Sequence, residues 1–333
     1  MGPSTVTRDR IDYIGAISDS WKQQMLLNLL KVRYSDAPVF LDVTSVINAY
    51  ALEGDVTLAG QAAPVGRGDT FLGASGTRRY SDHPTITYAP LVGDKFAKSI
   101  MSPVPVSGIL LLVQSGYPAD FVLRVCVSTV NGLENAFGGP NPRSGDPRFH
   151  ELLELMREDQ KAGGLGFAAK PGTGKRSMAM MLRAPRDTPM AARHRRIVEL
   201  LGLKADAREF DVGYGSFPDD DMEIALISRS ILQVMIDVAS HIDTPAVHVA
   251  EGRVHVPPRT AEDERMFPAL VRVHSAAQEP KDAYAAVRYR DHWFWIDDRD
   301  PRSKSGFSFL MLLFSLTETA STQAAPVVTV PAR

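Results

Sequence analysis

YRDHWFWIDDRDPRSK, residues 289–304, gathers one histidine, four aspartates, three arginines and a lysine around Tyr289, Trp293, Phe294 and Trp295. Two readings compete for it. As an acid–base site, Asp291, His292, Asp297 and Asp298 are the groups a hydrolase would use. As structure, alternate residues of a strand face opposite ways. Phe294 and Ile296 then serve the core, while Trp293 and Trp295 bury a second face or form a contact surface. Asp297, Asp298 and Asp300 fall where the strand ends, placed to accept from the free N–H groups of a helix beginning near 303 and to complement its dipole. Pro301 suits a turn or a first helical position. The structural reading accounts for nearly every residue, and it makes this part of the chain strand, acidic junction, helix.

Upstream, Ile11, Ile14, Ile17, Trp21, Met25, Leu29 and Val32 recur at helical spacing and predict a helix over 8–34 that stops before Pro38. The texture then changes. Residues 38–60, PVFLDVTSVINAYALEGDVTLAG, are β-branched and alternating, with an interruption expected at Glu53–Gly54, and TITYAPL, 85–91, is a second strand, so a long β-hairpin whose Gly-, Ser- and Arg-rich tip spans 61–83 is expected in the N-terminal half. Short helices follow over 94–103 and 105–116. FVLRVCVSTVNGL reads as a buried strand or helix, its β-branched content favouring strand. AFGGPNPRSGDPRF, 136–149, marks a break between an N-terminal module, 1–136, and a C-terminal α+β domain, 146–333. Beyond it the pattern predicts a helix at 147–161 and strands GLGFAA and SMAMMLRA joined by KPGTGK. A helix at 188–202, a strand through Phe210, Val212 and Tyr214, and a long helix over 219–243 behind Asp219, Asp220 and Asp221 come next. After a linker-like 245–265 come strands at 270–276 and 283–298, the latter turning back at Arg290–Asp291, a helix at 303–317 and a terminal strand, APVVTVPA. Helices mixed with mainly antiparallel strands, without regular β–α alternation, define an α+β class in two modules.

The 37 basic and 39 acidic residues leave a net charge of −2, which argues against nucleic acid as a partner. The single cysteine, Cys126, excludes an intrachain disulfide and a cysteine-based zinc cage, and its apolar setting reads as a small buried hydrophobe. KPGTGKRS resembles a phosphate-binding loop but lacks its spacing: Ala169 stands where a glycine is needed, and Arg176 follows Lys175. His248 and His255, with Glu251 between them, are read as surface residues in preference to a zinc site. No cofactor and no metal are expected.

The strings YRDHWFWIDDRDPRSKSGFSFLMLLFSLTET, DSWKQQMLLNLLKVRYSDAPVFLDV and HPTITYAPLVGDKF resemble an uncharacterised family of proteobacterial envelope lipoproteins over nearly the whole chain. The resemblance implies a cell-envelope location on the periplasmic side of the outer membrane, with members starting from a signal peptide and a lipid-bearing cysteine. The opening MGPSTVTRDR carries neither, so membrane attachment is expected only through a lipid anchor absent from this chain. The function expected is a non-enzymatic accessory or assembly role exercised through protein–protein contacts or self-association. The expected contact surface comprises Arg67, Phe71, Arg78, Arg79 and Tyr80 at the hairpin tip, together with Trp293 and Trp295. The alternatives are the hydrolase above and a binder of lipid or another small ligand in an apolar pocket.

Overall fold

The computed structural model describes residues 3–61, 71–91, 93–170, 177–256, 260–318 and 328–331; along 42–61 and 71–89 it describes the backbone. Two units emerge, Met1–Pro38 with Gly93–Thr322, and Val39–Val92 with Gln323–Arg333. The fold is α+β with mainly antiparallel sheets. The first helix, α1, runs Pro3–Arg33 and buries Met25, Leu26, Leu29 and Leu30 along its second half. Ile11 and Ile14, which continue the same stripe, are exposed. The long hairpin is present as β1, Phe40–Gln61, and β2, Phe71–Leu91, paired antiparallel with one irregularity between Val43 and Ser45; residues 71–83, expected in the tip, are strand, and the register is unbroken at Glu53–Gly54.

In the larger unit, α2 (Asp94–Met101), α3 (Val106–Gln114) and α4 (Ala119–Cys126) lead into β3 (Val127–Val130) and β4 (Leu133–Glu134). The stretch expected to be one buried strand is therefore a helix first. Val122, Leu123, Val125 and Cys126 pack inward from its last two turns, and the chain extends only at Val127. Asp146 caps α5 (Pro147–Lys161) by accepting from the Arg148 amide, with Pro147 in the first turn. A hairpin follows, β5 (Leu165–Lys170) and β6 (Ser177–Leu182), whose KPGTGK connection lies outside the described residues save for Lys170. Asp187 caps α6 (Thr188–Leu201), and Gly202 closes it at φ 65°, where a side chain would be strained.

Next come β7 (Glu209–Tyr214), β8 (Glu223–Ser228) and α7 (Ile231–Ala239). The helix expected over 219–243 is thus replaced by a strand and a shorter helix. Ile224, Ala225 and Leu226 are consecutive and all buried, as in a strand covered on both faces, and β8 runs parallel to β7. The helix begins at Ser230, which accepts from the Gln233 amide while the Gln233 side chain accepts from the Ser230 amide, a reciprocal capping box. The six strands order β4-β3-β8-β7-β6-β5, so strands from either side of 136–149 share one sheet inside one unit. Packed directly on it are α3, α4 and α5, and α6 packs against α5.

The stretch 245–265 carries α8 (Ala246–Ala250) and α9 (Ala261–Met266). Strands β9 (His274–Ala276), β10 (Ala283–Tyr289) and β11 (His292–Asp297) form a second antiparallel sheet, order β10-β11-β9, and residues 270–273, expected as strand, are not part of it. The turn falls at Arg290 and Asp291, φ 47° and 66°, the pair of left-handed residues that a two-residue hairpin loop demands. Phe294 and Ile296 are fully buried. Helix α10 (Pro301–Glu318) begins where expected, and Asp300 is its cap: one carboxylate oxygen accepts from the amides of Arg302 and Ser303 at 3.1 Å, the other from the Ser303 hydroxyl at 2.6 Å. Helices α1, α7 and α10 pack around this sheet. In the smaller unit the last strand, β12 (Val328–Pro331), pairs with β2 at 85–88. Its pairing ends one residue short of Pro84, which has no N–H to donate.

The Ser303 hydroxyl, ahead of the two backbone amides, holds the Asp300 carboxyl below its ordinary range, while burial opposes this. Asp300→Ala is expected to cost about 1 kcal/mol near neutral pH in denaturant unfolding. Because the folded carboxyl is the stronger acid, its contribution is present above the unfolded pKa and fades as pH falls through the folded one. The gap between wild type and variant should therefore close below about pH 4.

Candidate functional site

The acidic junction does not assemble a reacting pair. Asp297 accepts from the Arg299 amide at 2.8 Å. Asp298 receives Lys304 Nζ at 2.8 Å on its carboxylate and at 2.9 Å on its carbonyl, and that ammonium holds the carboxyl below its ordinary range. Asp291 is exposed on the turn, 3.3 Å from Arg288. His292 goes elsewhere, to a ring contact with His248 at 4.8 Å. The four residues suspected of hydrolytic chemistry are each engaged by a different partner.

His292 belongs to a cluster that the sequence does not advertise. Buried Tyr34, just past α1, shares a hydrogen bond of 2.7 Å between its hydroxyl and His248 Nδ1. Its ring also meets Tyr289 and Phe294 edge-on. Asp36 accepts from the Tyr289 hydroxyl and from Arg290 at 3.0 Å, and the Arg290 guanidinium lies over the rings of Tyr34 and Tyr289. These contacts hold Arg290 at a positive φ that a bulky side chain seldom adopts. The Tyr289 hydroxyl, then Arg290, lowers the Asp36 carboxyl, while burial raises the Tyr289 phenol. Burial, and after it the neighbouring His292, pushes His248 down, so the imidazole is neutral in the folded chain. The cluster binds the end of α1, α8 and the β10–β11 turn to one another.

Concavity lies elsewhere in the same unit. A cavity of about 250 Å³ is lined by Arg124, Asn135, Phe137, Arg143, Asp237 and His241, among others. Behind it Arg229 is 1% exposed. Its guanidinium donates to Asp237 at 3.3 Å and to the carbonyl of Ala136, and it lies over the Phe137 ring. The other Asp237 oxygen accepts from the Gly138 amide at 2.6 Å. Arg124 donates to the Pro268 carbonyl, and burial pushes its guanidinium down to about 10. A neighbouring cavity of about 750 Å³ shares His241 and Phe267 with the first and adds Arg33, Arg272 and His274. Cys126 lines neither; burial pushes its thiol up to about 12, which leaves it inert.

The expected contact surface divides. Arg67 lies outside the described residues. On β2, Phe71 stands opposite Gln61 and Arg79 opposite Glu53 on one face of the hairpin, whereas Arg78 opposite Gly54 and Tyr80 opposite Leu52 share the other. Trp293 and Trp295 are half-buried in β11, and the Trp295 ring meets His274 at 5.5 Å, so part of their surface is already used internally. Among the described residues no group of three or more His, Cys, Asp or Glu is placed to hold a metal, and no helix is long and apolar enough to cross a membrane.

No model of a known protein family matches this chain, and neither the curated proteins nor the solved structures hold a significant match to it.

Two outcomes test this reading. Asp237→Ala strands a buried guanidinium and should cost about 3–5 kcal/mol in urea unfolding, while the Arg229→Met, Asp237→Leu double variant should lose less than that single one. His248 has a folded pKa below its unfolded value, so its contribution is complete above about pH 6.5 and is lost as pH falls through the folded pKa. Wild-type stability is expected to decline between pH 7 and pH 5, and His248→Gln to flatten that slope.

Proposed function

We propose that this chain is an assembly protein of the bacterial cell envelope that works through protein–protein contacts, with further copies of itself as its first partner. The observation that carries the reading is the open backbone of the hairpin. Its strands are 22 and 21 residues long, and β12 covers β2 only at 85–88. Among the described residues, no strand pairs with the outer edge of β1 from 52 to 61 or with the outer edge of β2 from 71 to 84. Two strands alone are marginal in water, and an exposed edge of this length is a template for another chain. The envelope location rests on the resemblance carried by 289–319 and the two N-terminal strings.

A second reading, a binder of a small anionic ligand, is supported by the cavity lined by Arg124 and Arg143, where one carboxylate, Asp237, is already committed to Arg229. Native mass spectrometry of the purified chain tests it: a bound anion lost in Arg124→Met sustains it, and a bare chain removes it.

Self-association is tested by light scattering and crosslinking of the full chain beside a variant lacking 54–61 and 71–78, which are register partners. The full chain is expected to form oligomers. The shortened one should stay monomeric with the same helical signal and unfolding transition. A full chain that remains monomeric at high concentration overturns the proposal.

A further inference from the structure

The distal part of the hairpin has a pattern of its own. Ten register pairs, from Leu52 opposite Tyr80 to Gln61 opposite Phe71, make two faces. On one, Leu52, Val56 and Leu58 alternate against Leu72, Ala74 and Tyr80, and the remaining positions are glycines and Arg78. On the other stand Glu53, Asp55, Thr57, Ala59 and Gln61 against Phe71, Gly73, Ser75, Thr77 and Arg79, polar apart from Ala59, Gly73 and, at its end, Phe71, with Glu53 directly opposite Arg79. A ribbon lying on a protein surface buries one face, and its edges then remain open. Among the described residues, this one is mainly apolar on one face, mainly polar on the other and unpaired at both outer edges over the same ten register pairs.

We propose that several copies of the chain close residues 52–61 and 71–80 edge to edge into a membrane-spanning β-barrel, with the Leu52–Val56–Leu58 face on lipid and the Glu53–Arg79 face on a water-filled lumen. The inference rests on the self-association reading and names the surface it uses. Four constraints converge on it. Ten residues is the length a tilted strand needs to cross the hydrocarbon, about 9–11. Alternation of apolar and polar positions is the pattern of barrel strands whose two faces meet lipid and water. Hydrocarbon does not tolerate unpaired N–H and C=O groups, so a lone hairpin is excluded and closure is required; the smallest such barrels have about eight strands, or about four copies. The one charged position on the apolar face, Arg78, lies two residues from Tyr80 at the end of the span, where an aromatic ring and a snorkelling guanidinium belong at the lipid–water boundary. Because β12 stops at 85, it leaves the segment free, and the outer edge of β1 in one copy can pair with the outer edge of β2 in the next, a head-to-tail contact that closes as a ring.

The test uses the full chain with single cysteines introduced at Val56, Leu58 and Leu72 or at Thr57, Ser75 and Thr77. Each is labelled with a nitrobenzoxadiazole fluorophore and mixed with vesicles of phosphatidylethanolamine and phosphatidylglycerol. Native Cys126 is fully buried and stays unlabelled. Probes at 56, 58 and 72 are expected to brighten and shift to the blue. Those at 57, 75 and 77 should remain water-like and quenchable by iodide, and vesicles holding a small dye should leak. Crosslinked oligomers without this alternation overturn the barrel and leave self-association standing. Monomers both in buffer and on vesicles overturn the two together.

Discussion

A guanidinium buried to 1% exposure between β8 and α7 sets the arrangement of the larger unit. The Arg229 amide donates to the Cys126 carbonyl at the end of α4, and its own carbonyl accepts from Val104 ahead of α3. Its side chain reaches the carbonyls of Arg124 and Ala136 and the carboxylate of Asp237. Taking both charges out of water costs several kcal/mol each, so the site is tolerable only with those partners in place. Asp237 uses its second oxygen on the Gly138 amide. The pair therefore fixes the path of 136–138, the end of α4 and the start of α7 at once. It also explains why a stretch rich in glycine and proline runs as a connection inside one unit: the chain there is irregular, but two of its backbone groups are the acceptor and donor that a buried ion pair requires.

The same residue marks where sequence reasoning loses the fold. Residues 224–227 are a continuous apolar run, and periodicity alone does not separate a doubly covered strand from a buried helix. The three aspartates at 219–221 resemble a helix start, yet the start is Ser230, recognisable by its pairing with Gln233 three residues on. Around 119–130 the converse holds. β-branched residues favour a strand, while burial of one face from Val122 to Cys126 selects a helix before the chain extends. Elsewhere local chemistry sufficed: Asp146 with Pro147, Asp187 with Gly202, and Asp300 with Pro301 all stand at the helix boundaries they announce.

Of the suspected site, the sequence disclosed the residues and hid their partners. Asp298 and Lys304, six apart, were legible as a charge pair at a helix start. Asp36 and Arg290 are separated by 254 positions, and Tyr34 and His248 by 214. No periodicity or motif links them, because their meeting is decided by the docking of α1 and α8 against the β10–β11 turn. Once docked, they satisfy one another. A tyrosine hydroxyl and an arginine neutralise Asp36, and burial keeps His248 uncharged, so the cluster is a clasp whose polar groups are spent on holding three elements.

In the hairpin unit the accounting runs the other way. Natural sheets blunt their edges with prolines, inward charges, bulges or a covering element. Here, apart from the charge of Arg78, those devices are confined to the base: Pro84 and Pro90 flank the segment that β12 covers, and the irregularity falls between Val43 and Ser45. From 52 to 61 and from 71 to 80 there is no proline, no register shift and no covering strand among the described residues. Such an edge is tolerated when the working state covers it. The chain's near-neutral charge, −2 over 333 residues, offers little long-range repulsion to keep copies apart. What a strand partner must supply is therefore set by geometry: backbone groups in register over about ten residues, beside positions that alternate between mainly apolar and mainly polar faces. A second copy of the same segment meets both requirements.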